Sequence, residues 1–272
     1  MSAASPLLET FTVFRGEIDD ANDRRERLIK ISRDVTNISK KAIFLLHRII
    51  LEHDPDQDAL RLRAAAQGRA KLAEATPLFA SMRPELTEDR FWRHSRQVSP
   101  GVQEYIEALS FAYYLEHGAL ISYAHTQQAL SDADGPFFPL TIADYLLGLS
   151  DLTGELMRFA ISNISRRGGR TKANDVCTFV RNCKAGWSPI QVFLAKSNSV
   201  ADFDLFTPHV RELGKKQAVT ASSLEKIEAA AYAVMVRGSE FDLPQEILDD
   251  LVQQTTARFS LGDRDRDGAD NS

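Results

Sequence analysis

Cysteine is scarce in this sequence of 272 residues, which contains only Cys177 and Cys183, six positions apart. That spacing matches neither a zinc knuckle nor a redox pair, so nothing indicates a disulfide framework. Residues 1–9 lack the basic segment and apolar core of a secretory signal peptide. We therefore expect a protein of a reducing, intracellular compartment.

Long apolar runs and an excess of positive charge are missing as well. The most apolar segment is interrupted by Asp144, Asp151 and Glu155, so no stretch is predicted to span a membrane. Lysine and arginine total 33 against 38 aspartate and glutamate, which gives a formal net charge of −5. Any contact with nucleic acid must therefore come from local basic patches.

Several catalytic motifs are absent. Residues 167–170 (Arg-Gly-Gly-Arg) lack the preceding strand and the Gly-Lys-Ser/Thr ending of a phosphate-binding loop, which argues against nucleotide hydrolysis of that kind. The six histidines are scattered, and none belongs to a recognisable Ser/His/Asp arrangement. His47, inside an apolar helical segment, is interpreted as a core or edge residue.

The apolar pattern predicts helices throughout. No run of alternating strand residues and no internal repeat is present. The first long segment, 11–52, has apolar residues at steps of three and four, typical of a helix packed lengthwise on others. This seam consists of Leu28, Ile31, Val35, Ile38, Ala42, Leu45 and Ile49. The fold class is therefore all-α, a single-domain bundle of about seven helices, several of them long. We expect a flexible leader at 1–9, the domain at 10–259 and a disordered polar tail at 260–272.

Two expectations about the other helices matter for function. The sequence Ser99-Pro100-Gly101 predicts a break within the segment 85–117, because proline has no N–H to donate and Pro-Gly favours a turn. On the helix predicted over 208–237, Lys216 is expected to face outward. The remaining helices are expected at 58–82 with a kink at Pro77, and at 120–130, 139–166, 173–184 and 243–259.

Two pairs of acidic residues stand out in apolar surroundings. Glu104 and Glu107 are three positions apart and Asp151 and Glu155 are four apart, so each pair lies on one face of a helix. Carboxylates within apolar runs are costly to bury unless something compensates them. On two facing helices, the four would suit Mg²⁺, with Mn²⁺ as an alternative. Such an ion would promote hydrolysis by polarising a phosphoryl oxygen or activating water.

Two other interpretations of these acids stay open. In one, they are solvated or paired with arginines such as Arg158, because such charge spacings are common on helices. In the other they belong to a di-iron oxidoreductase, which is disfavoured because those proteins use Glu-x-x-His. Here Glu107 is followed three positions later by Ser110, and Glu155 by Arg158.

The segment 90–96, Arg-Phe-Trp-Arg-His-Ser-Arg, combines cations with aromatic side chains. Arginines neutralise phosphates and aromatics stack on bases, so the segment is interpreted as a surface for single-stranded nucleic acid. The alternative is a basic helix face with Phe91 or Trp92 turned into the core. The basic face of the first helix and the loop 166–170 are further candidates. The predicted contact residues are Arg90, Arg93, His94 and Arg96.

Several ordered motifs resemble those of the translin family over residues 10–250. The strongest discriminator is Asp-Tyr-Leu-Leu-Gly (144–148) followed closely by Asp-Leu-Thr-Gly-Glu-Leu-Met-Arg (151–158). The others are Glu-Arg-Leu-Ile-Lys-Ile-Ser-Arg-Asp (26–34), Ile-Phe-Leu-Leu-His-Arg-Ile (43–49), Gln-Glu-Tyr-Ile-Glu-Ala (103–108) and Val-Arg-Gly-Ser-Glu (236–240).

The resemblance implies an all-α catalytic subunit that assembles with a translin-like partner into a hollow hetero-oligomer, often octameric. It implies a Mg²⁺-dependent endoribonuclease acting on single-stranded RNA, with single-stranded DNA as an alternative ligand. The expected settings are passenger-strand removal in RNA silencing or processing of tRNA-precursor fragments, in the cytoplasm and nucleus. The family's essential acids fall on Glu104, Glu107, Asp151 and Glu155, and metal ligation carries over most directly to Glu107 and Glu155.

The competing hypothesis is a non-catalytic subunit that binds nucleic acid or acts as a scaffold stabilising a translin partner. It predicts that the acids are paired with arginines. The enzyme hypothesis instead requires carboxylate oxygens that converge on a hexacoordinate ion.

Overall fold

The computed structural model describes residues 6–52, 56–164, 176, 178, 206–240, 246–248, 250–255 and 257. Within these ranges the protein is all-α, as predicted, with seven helices and a two-stranded antiparallel hairpin of Ser131–Asp132 and Gly135–Pro136. The helices are α1 (Pro6–Ile50), α2 (Gln57–Leu72), α3 (Thr76–Met82), α4 (Arg90–His117), α5 (Tyr123–Ala129), α6 (Ile142–Asn163) and α7 (Leu213–Glu240). None of the described helices is long and apolar enough to cross a membrane.

The predicted domain limits stay a prediction, although α1 begins at Pro6, inside the segment predicted as a leader. The helix predicted at 58–82 is divided by a 3₁₀ turn, Ala73–Ala75, and Pro77 lies in the first turn of α3. The loop 166–170, both cysteines, the tail 260–272 and most of the helix predicted at 173–184 lie outside the described residues.

The seam predicted on α1 is confirmed, since Leu28, Val35 and Ala42 are fully buried. α1 packs along both α2 and α4. It runs in the same direction as α4, as three successive contacts show. These join Ser32 with Gly101, Lys40 with Glu104, and His47 with Phe111.

The predicted break at Ser99-Pro100-Gly101 is wrong, because α4 continues through Pro100. The backbone groups there find partners on α1. The Gly101 N–H donates to Ser32 Oγ at 3.1 Å, and the Ser32 hydroxyl donates to the Val98 carbonyl at 3.3 Å. A proline is tolerated inside a helix when a neighbouring element supplies such hydrogen bonds in this way.

α6 crosses α4 at Gly148, where the two backbones come unusually close. A Cβ atom at this position would lie 2.8 Å from Ile106 Cβ and 2.9 Å from the Gln103 carbonyl oxygen. A second link lies one turn earlier, where Gln103 Nε2 donates to Asp144 Oδ1 at 2.9 Å. Asp144 also accepts from Thr141 at the helix cap, so this buried acid ties α6 to α4. The crossing sets the acidic faces of the two helices side by side.

α7 packs against α6. The helical spacing predicts an inward face of Leu224, Ile227, Ala231 and Val234. Leu224, Ile227 and Val234 are buried, and Ala231 is half-buried. Thr153 of α6 and Thr220 of α7 share a buried hydrogen bond of 3.0 Å. The contact brings the first turn of α7 beside the middle of α6.

Replacing Gly148 by alanine should test whether the crossing depends on this glycine. We expect Gly148→Ala to lower the free energy of unfolding by about 1–3 kcal/mol, because the added methyl group overlaps Ile106. The matched control is Gly154→Ala on the same helix, where no atom lies within 4 Å of the added carbon. Alanine there should be neutral or stabilising by about 0.5–1 kcal/mol. Equal unfolding midpoints for both variants in urea titrations would contradict this account.

Candidate active site

The acids predicted on two facing helices lie beside one cleft of about 310 Å³. Glu104 and Glu107 project from α4, and Glu155 projects from α6, with Asp151 one turn before it. α1 forms the other wall through Lys40, Ile43 and Phe44, and Arg158 completes the lining. The structure therefore brings carboxylates of both predicted pairs to one place.

Glu107 is the electrostatic centre of this group. Burial, together with the neighbouring charges of Asp151, Glu104 and Glu155, raises its pKa to about 8, against an opposing effect of Lys216. In the described part of the chain Glu107 has no hydrogen bond or ion pair. A carboxyl group crowded by three acids and lacking a donor is a site that favours a cation or a proton.

The other three acids each have a partner. Lys40 Nζ lies 3.3 Å from Glu104 Oε1. Lys216 Nζ forms a salt bridge with Asp151 Oδ2 and donates to the Leu147 carbonyl at 3.3 Å.

Glu155 has two partners. Its Oε2 atom forms a short hydrogen bond with Nε2 of His47, and Arg158 Nη1 lies 4.0 Å from the same oxygen. Among the described contacts, the pairing with arginine that the competing hypothesis predicts is therefore present only at Glu155, whereas Glu104 and Asp151 pair with lysines.

Sequence reasoning missed the roles of Lys216 and His47. The expectation that Lys216 faces outward is wrong, because its ammonium group reaches across to Asp151 on α6. The sequence pattern of α7 alone does not indicate that Asp151 of α6 lies within reach of Lys216. His47 is buried, as expected of a core residue, and its ring packs at 4.8 Å from that of Phe111. A buried polar ring needs a hydrogen-bond partner. This was a signal that His47 has a polar contact, but it does not identify Glu155.

The donor chemistry of the site suits a divalent cation, whereas the side-chain arrangement does not yet form a metal shell. Four carboxylates are the hard oxygen donors that Mg²⁺ and Mn²⁺ prefer, and Glu107 is available among them. Among the residues that the structure describes, however, no three His, Cys, Asp or Glu side chains converge as metal ligands. Lys216 and His47 each bind one oxygen of Asp151 and of Glu155. Ligation through that oxygen would require exchange of the contact, whereas ligation through the second oxygen of each carboxylate would keep it.

The basic segment 90–96 forms the start of α4. Arg90, Arg93 and Arg96 are exposed. His94 is half-buried, and burial lowers its pKa, with Arg24 and Arg93 acting in the same direction, so it is mainly uncharged at neutral pH.

The two aromatic residues of this segment differ. Phe91 is buried, as the alternative interpretation expected, while 66% of Trp92 is exposed. The nucleic-acid roles of the four predicted contact residues stay a prediction.

The basic segment and the acids share one face of α4. Arg93, Arg96, Glu104 and Glu107 recur at the helical period, so their side chains project to the same side. Arg96 precedes Glu104 by eight positions, which corresponds to about 12 Å along the helix. Exposed cations therefore lie along the approach to the acidic cleft.

Fold and site together define an all-α bundle protein with a carboxylate-rich cleft approached by exposed cations. The model of the Translin family matches residues 23–238. The chain is 33% identical over 275 residues to Translin-associated protein X of Rattus norvegicus, covering 94% of this chain and 87% of that protein. It belongs to the Translin family.

A more distant relative and two solved structures agree with this assignment. Translin-associated protein X homolog of Schizosaccharomyces pombe is 28% identical over 240 residues, covering 85% of this chain and 90% of that protein. The crystal structure of AfC3PO superposes with a TM-score of 0.57 at 18% identity, over 84% of this chain and 98% of that one. Apo-NeC3PO gives 0.54 at 15% identity, over 83% and 96%. These two structures share the fold.

The raised pKa of Glu107 predicts how stability changes with pH in the presence of EDTA. Its folded-state pKa of about 8 exceeds the ordinary value of 4.5, so the folded protein holds a proton that the unfolded chain releases. The stability contributed by that proton is fully present below pH 4.5 and is lost as pH rises through about 8. We expect Glu107→Gln to lack this loss and to gain stability relative to the unmodified protein as pH rises.

Thermal unfolding measured between pH 5 and 9 checks this expectation. Glu225→Gln, at an exposed position of α7, is the matched control and should parallel the unmodified protein. A Glu107→Gln curve that runs parallel to both across this range would contradict the prediction.

Proposed function

We propose that the protein is the catalytic subunit of a translin-type hetero-oligomer and cleaves single-stranded RNA as a Mg²⁺-dependent endoribonuclease. The observation that carries this proposal is the cleft lined by Glu104, Glu107 and Glu155. Asp151 also acts on Glu107, which has no hydrogen bond or ion pair with any residue that the structure describes. A structural role would not require a group of like charges whose mutual repulsion costs stability. Such groups are typical of sites that bind cations or transfer protons.

The residues of the cleft would have different roles in phosphodiester hydrolysis. Glu107 and Glu155 would hold Mg²⁺, or Mn²⁺ in its place, with Asp151 and Glu104 beside them. An ion held there would supply Lewis-acid chemistry toward a phosphoryl oxygen. A carboxylate of the group would accept the proton of the attacking water. Lys40 and Arg158 at the cleft are positioned to neutralise phosphate oxygens.

The proposed ligand is single-stranded RNA, with single-stranded DNA as an alternative. It would approach along Arg90, Arg93, His94 and Arg96, which precede the acids on α4. Passenger-strand removal in RNA silencing and processing of tRNA-precursor fragments are the proposed settings, in the cytoplasm and nucleus.

The proposed partner is a translin-like subunit in a hollow, octameric shell. The name of the relatives, Translin-associated protein X, is that of proteins found with translin. The start of α1 also supports assembly, because its large apolar side chains are more than half exposed. They include Leu7, Phe11, Phe14 and Ile18.

A second candidate function is that of a non-catalytic subunit that binds nucleic acid and stabilises a translin partner. The pairing of Glu104 with Lys40, Asp151 with Lys216 and Glu155 with His47 favours it. In that role the acids would serve the cohesion of α1, α4, α6 and α7 and would need no metal ion. The two functions differ in whether this subunit supports RNA cleavage that depends on divalent ions.

Cleavage assays with the reconstituted complex distinguish the two functions. Labelled single-stranded RNA is incubated with the full chain and a translin-like partner, in Mg²⁺ or in EDTA. We expect Glu107→Gln and Glu155→Gln to lower the cleavage rate by about 10²–10⁴-fold, the usual contribution of a proton-transfer group or metal ligand. Glu225→Gln is the control. Undiminished cutting by the folded Glu107 and Glu155 variants, or turnover in EDTA, would refute the catalytic proposal.

His47 should act as a positioning residue for Glu155. His47→Phe keeps the ring contact with Phe111 and removes the Nε2 group that binds Glu155. Loss of such an orienting partner typically weakens metal binding by about 10–100-fold. We therefore expect the Mg²⁺ concentration for half-maximal cleavage to rise by that factor, with much of the rate recovered at saturating Mg²⁺. An unchanged Mg²⁺ titration would show that the histidine has only a packing role.

A further inference from the structure

Phe44 is a large apolar side chain that is not buried in the hydrophobic core. Its neighbours Ala42, Ile43 and Leu46 are buried in the core, whereas 63% of Phe44 is exposed. It makes no ring contact with another aromatic residue in the described ranges. Yet it lines the same cleft as Glu107 and Glu155.

The exposed face of α1 around Phe44 is basic. Arg33, Lys40 and Arg48 recur with Phe44 at the helical period and project to the same side. Arg33 and Arg48 have no ion pair within the part of the chain that the structure describes. A single aromatic ring between cations is the combination that single-stranded nucleic acids require, with a stacking surface for a base and positive charge for phosphates.

We propose that Phe44 is the stacking platform for the nucleobase next to the scissile phosphate, an inference that rests on the endoribonuclease function proposed above. Lys40, one turn before Phe44 on α1, and Arg158, across the cleft on α6, contact the phosphates on either side of that base. Stacking needs a base whose face is free, so a paired strand cannot use this subsite. The site thus accounts for selection of single-stranded RNA by the cleft itself.

A subunit interface is the other use of an exposed phenylalanine, and the surroundings argue against it here. The exposed neighbours of Phe44 along α1 are Lys40, Lys41 and Arg48, and burying three cations in an interface would be costly. The first turns of α1 differ, since their exposed side chains form a continuous apolar stripe.

The test combines variants of Phe44 with abasic substrates in the complex with a translin-like partner. A labelled oligouridine is compared with oligouridines that carry one abasic residue at successive positions. For the unmodified complex, one abasic position beside the cleavage site should raise KM by roughly 5- to 150-fold, the equivalent of one base–aromatic stack. Phe44→Ala should raise KM by a similar factor on the full substrate and should be insensitive to the abasic position. Phe44→Trp should restore both the low KM and that sensitivity.

Leu62→Ala is the control, because Leu62 is also about half exposed but lies on α2, away from the cleft. It should leave KM and the abasic effect unchanged. An abasic effect of equal size with Phe44→Ala and with the unmodified complex would overturn the inference, and so would a change in the mass of the complex on Phe44→Ala.

Binding measurements separate this inference from the proposed function. Fluorescence anisotropy of the same oligonucleotides in EDTA reports stacking without cleavage. If no Mg²⁺-dependent cleavage occurs while Phe44→Ala and the abasic residue still weaken binding non-additively, the catalytic proposal fails and the base subsite stands. If cleavage occurs and binding is indifferent to both changes, the catalytic proposal stands and the subsite fails.

Discussion

At Gly148 the backbone of α6 lies so near to α4 that one added carbon would be 2.8 Å from Ile106 Cβ. This close approach determines the distance between the acidic faces of the two helices. Wider spacing would let solvent screen the carboxylates from one another. With the helices this close, Glu107 is buried and Asp151, Glu104 and Glu155 act on it, and both effects raise its pKa. The electrostatics of the cleft thus depends on a packing contact made by residues that carry no charge.

The electrostatic repulsion among the four acids is offset by side chains of helices other than α4 and α6. α1 supplies Lys40 and His47, and α7 supplies Lys216, which bind Glu104, Glu155 and Asp151 respectively. Only Glu107 is left without such a partner in the described part of the chain. The result is an acid cluster on α4 and α6 that contacts from α1 and α7 stabilise and that retains one group able to take up a cation or a proton. Stability and reactivity therefore reside in different members of the same cluster.

Local pattern was enough to predict those features that depend on a single helix. The seam on α1 follows from the helical spacing of apolar residues within that segment. The placement of each acid pair on one helix face follows in the same way from the spacing within its own segment. Features that depend on two segments were missed. α4 runs through Pro100 because Ser32 of α1 supplies its hydrogen bonds, and Lys216 turns inward because α6 presents Asp151. His47 looked like a core residue because its partner lies 108 positions away in the sequence. The spacing of residues within a single segment indicates neither the crossing at Gly148 nor the identity of these partners.

The common direction of α1 and α4 has a consequence for how a polymer can lie across them. Arg33 precedes Phe44 and Arg48 on α1, and Arg96 precedes Glu104 on α4. The two ends of the cleft therefore differ, because the earlier end carries Arg33 and Arg96 and the later end carries the ring of Phe44 beside the carboxylates. A nucleic-acid strand also has unlike ends, 5′ and 3′. Because the cleft and the nucleic-acid strand each have two unlike ends, the strand is expected to bind along the cleft in one of its two orientations in preference to the other.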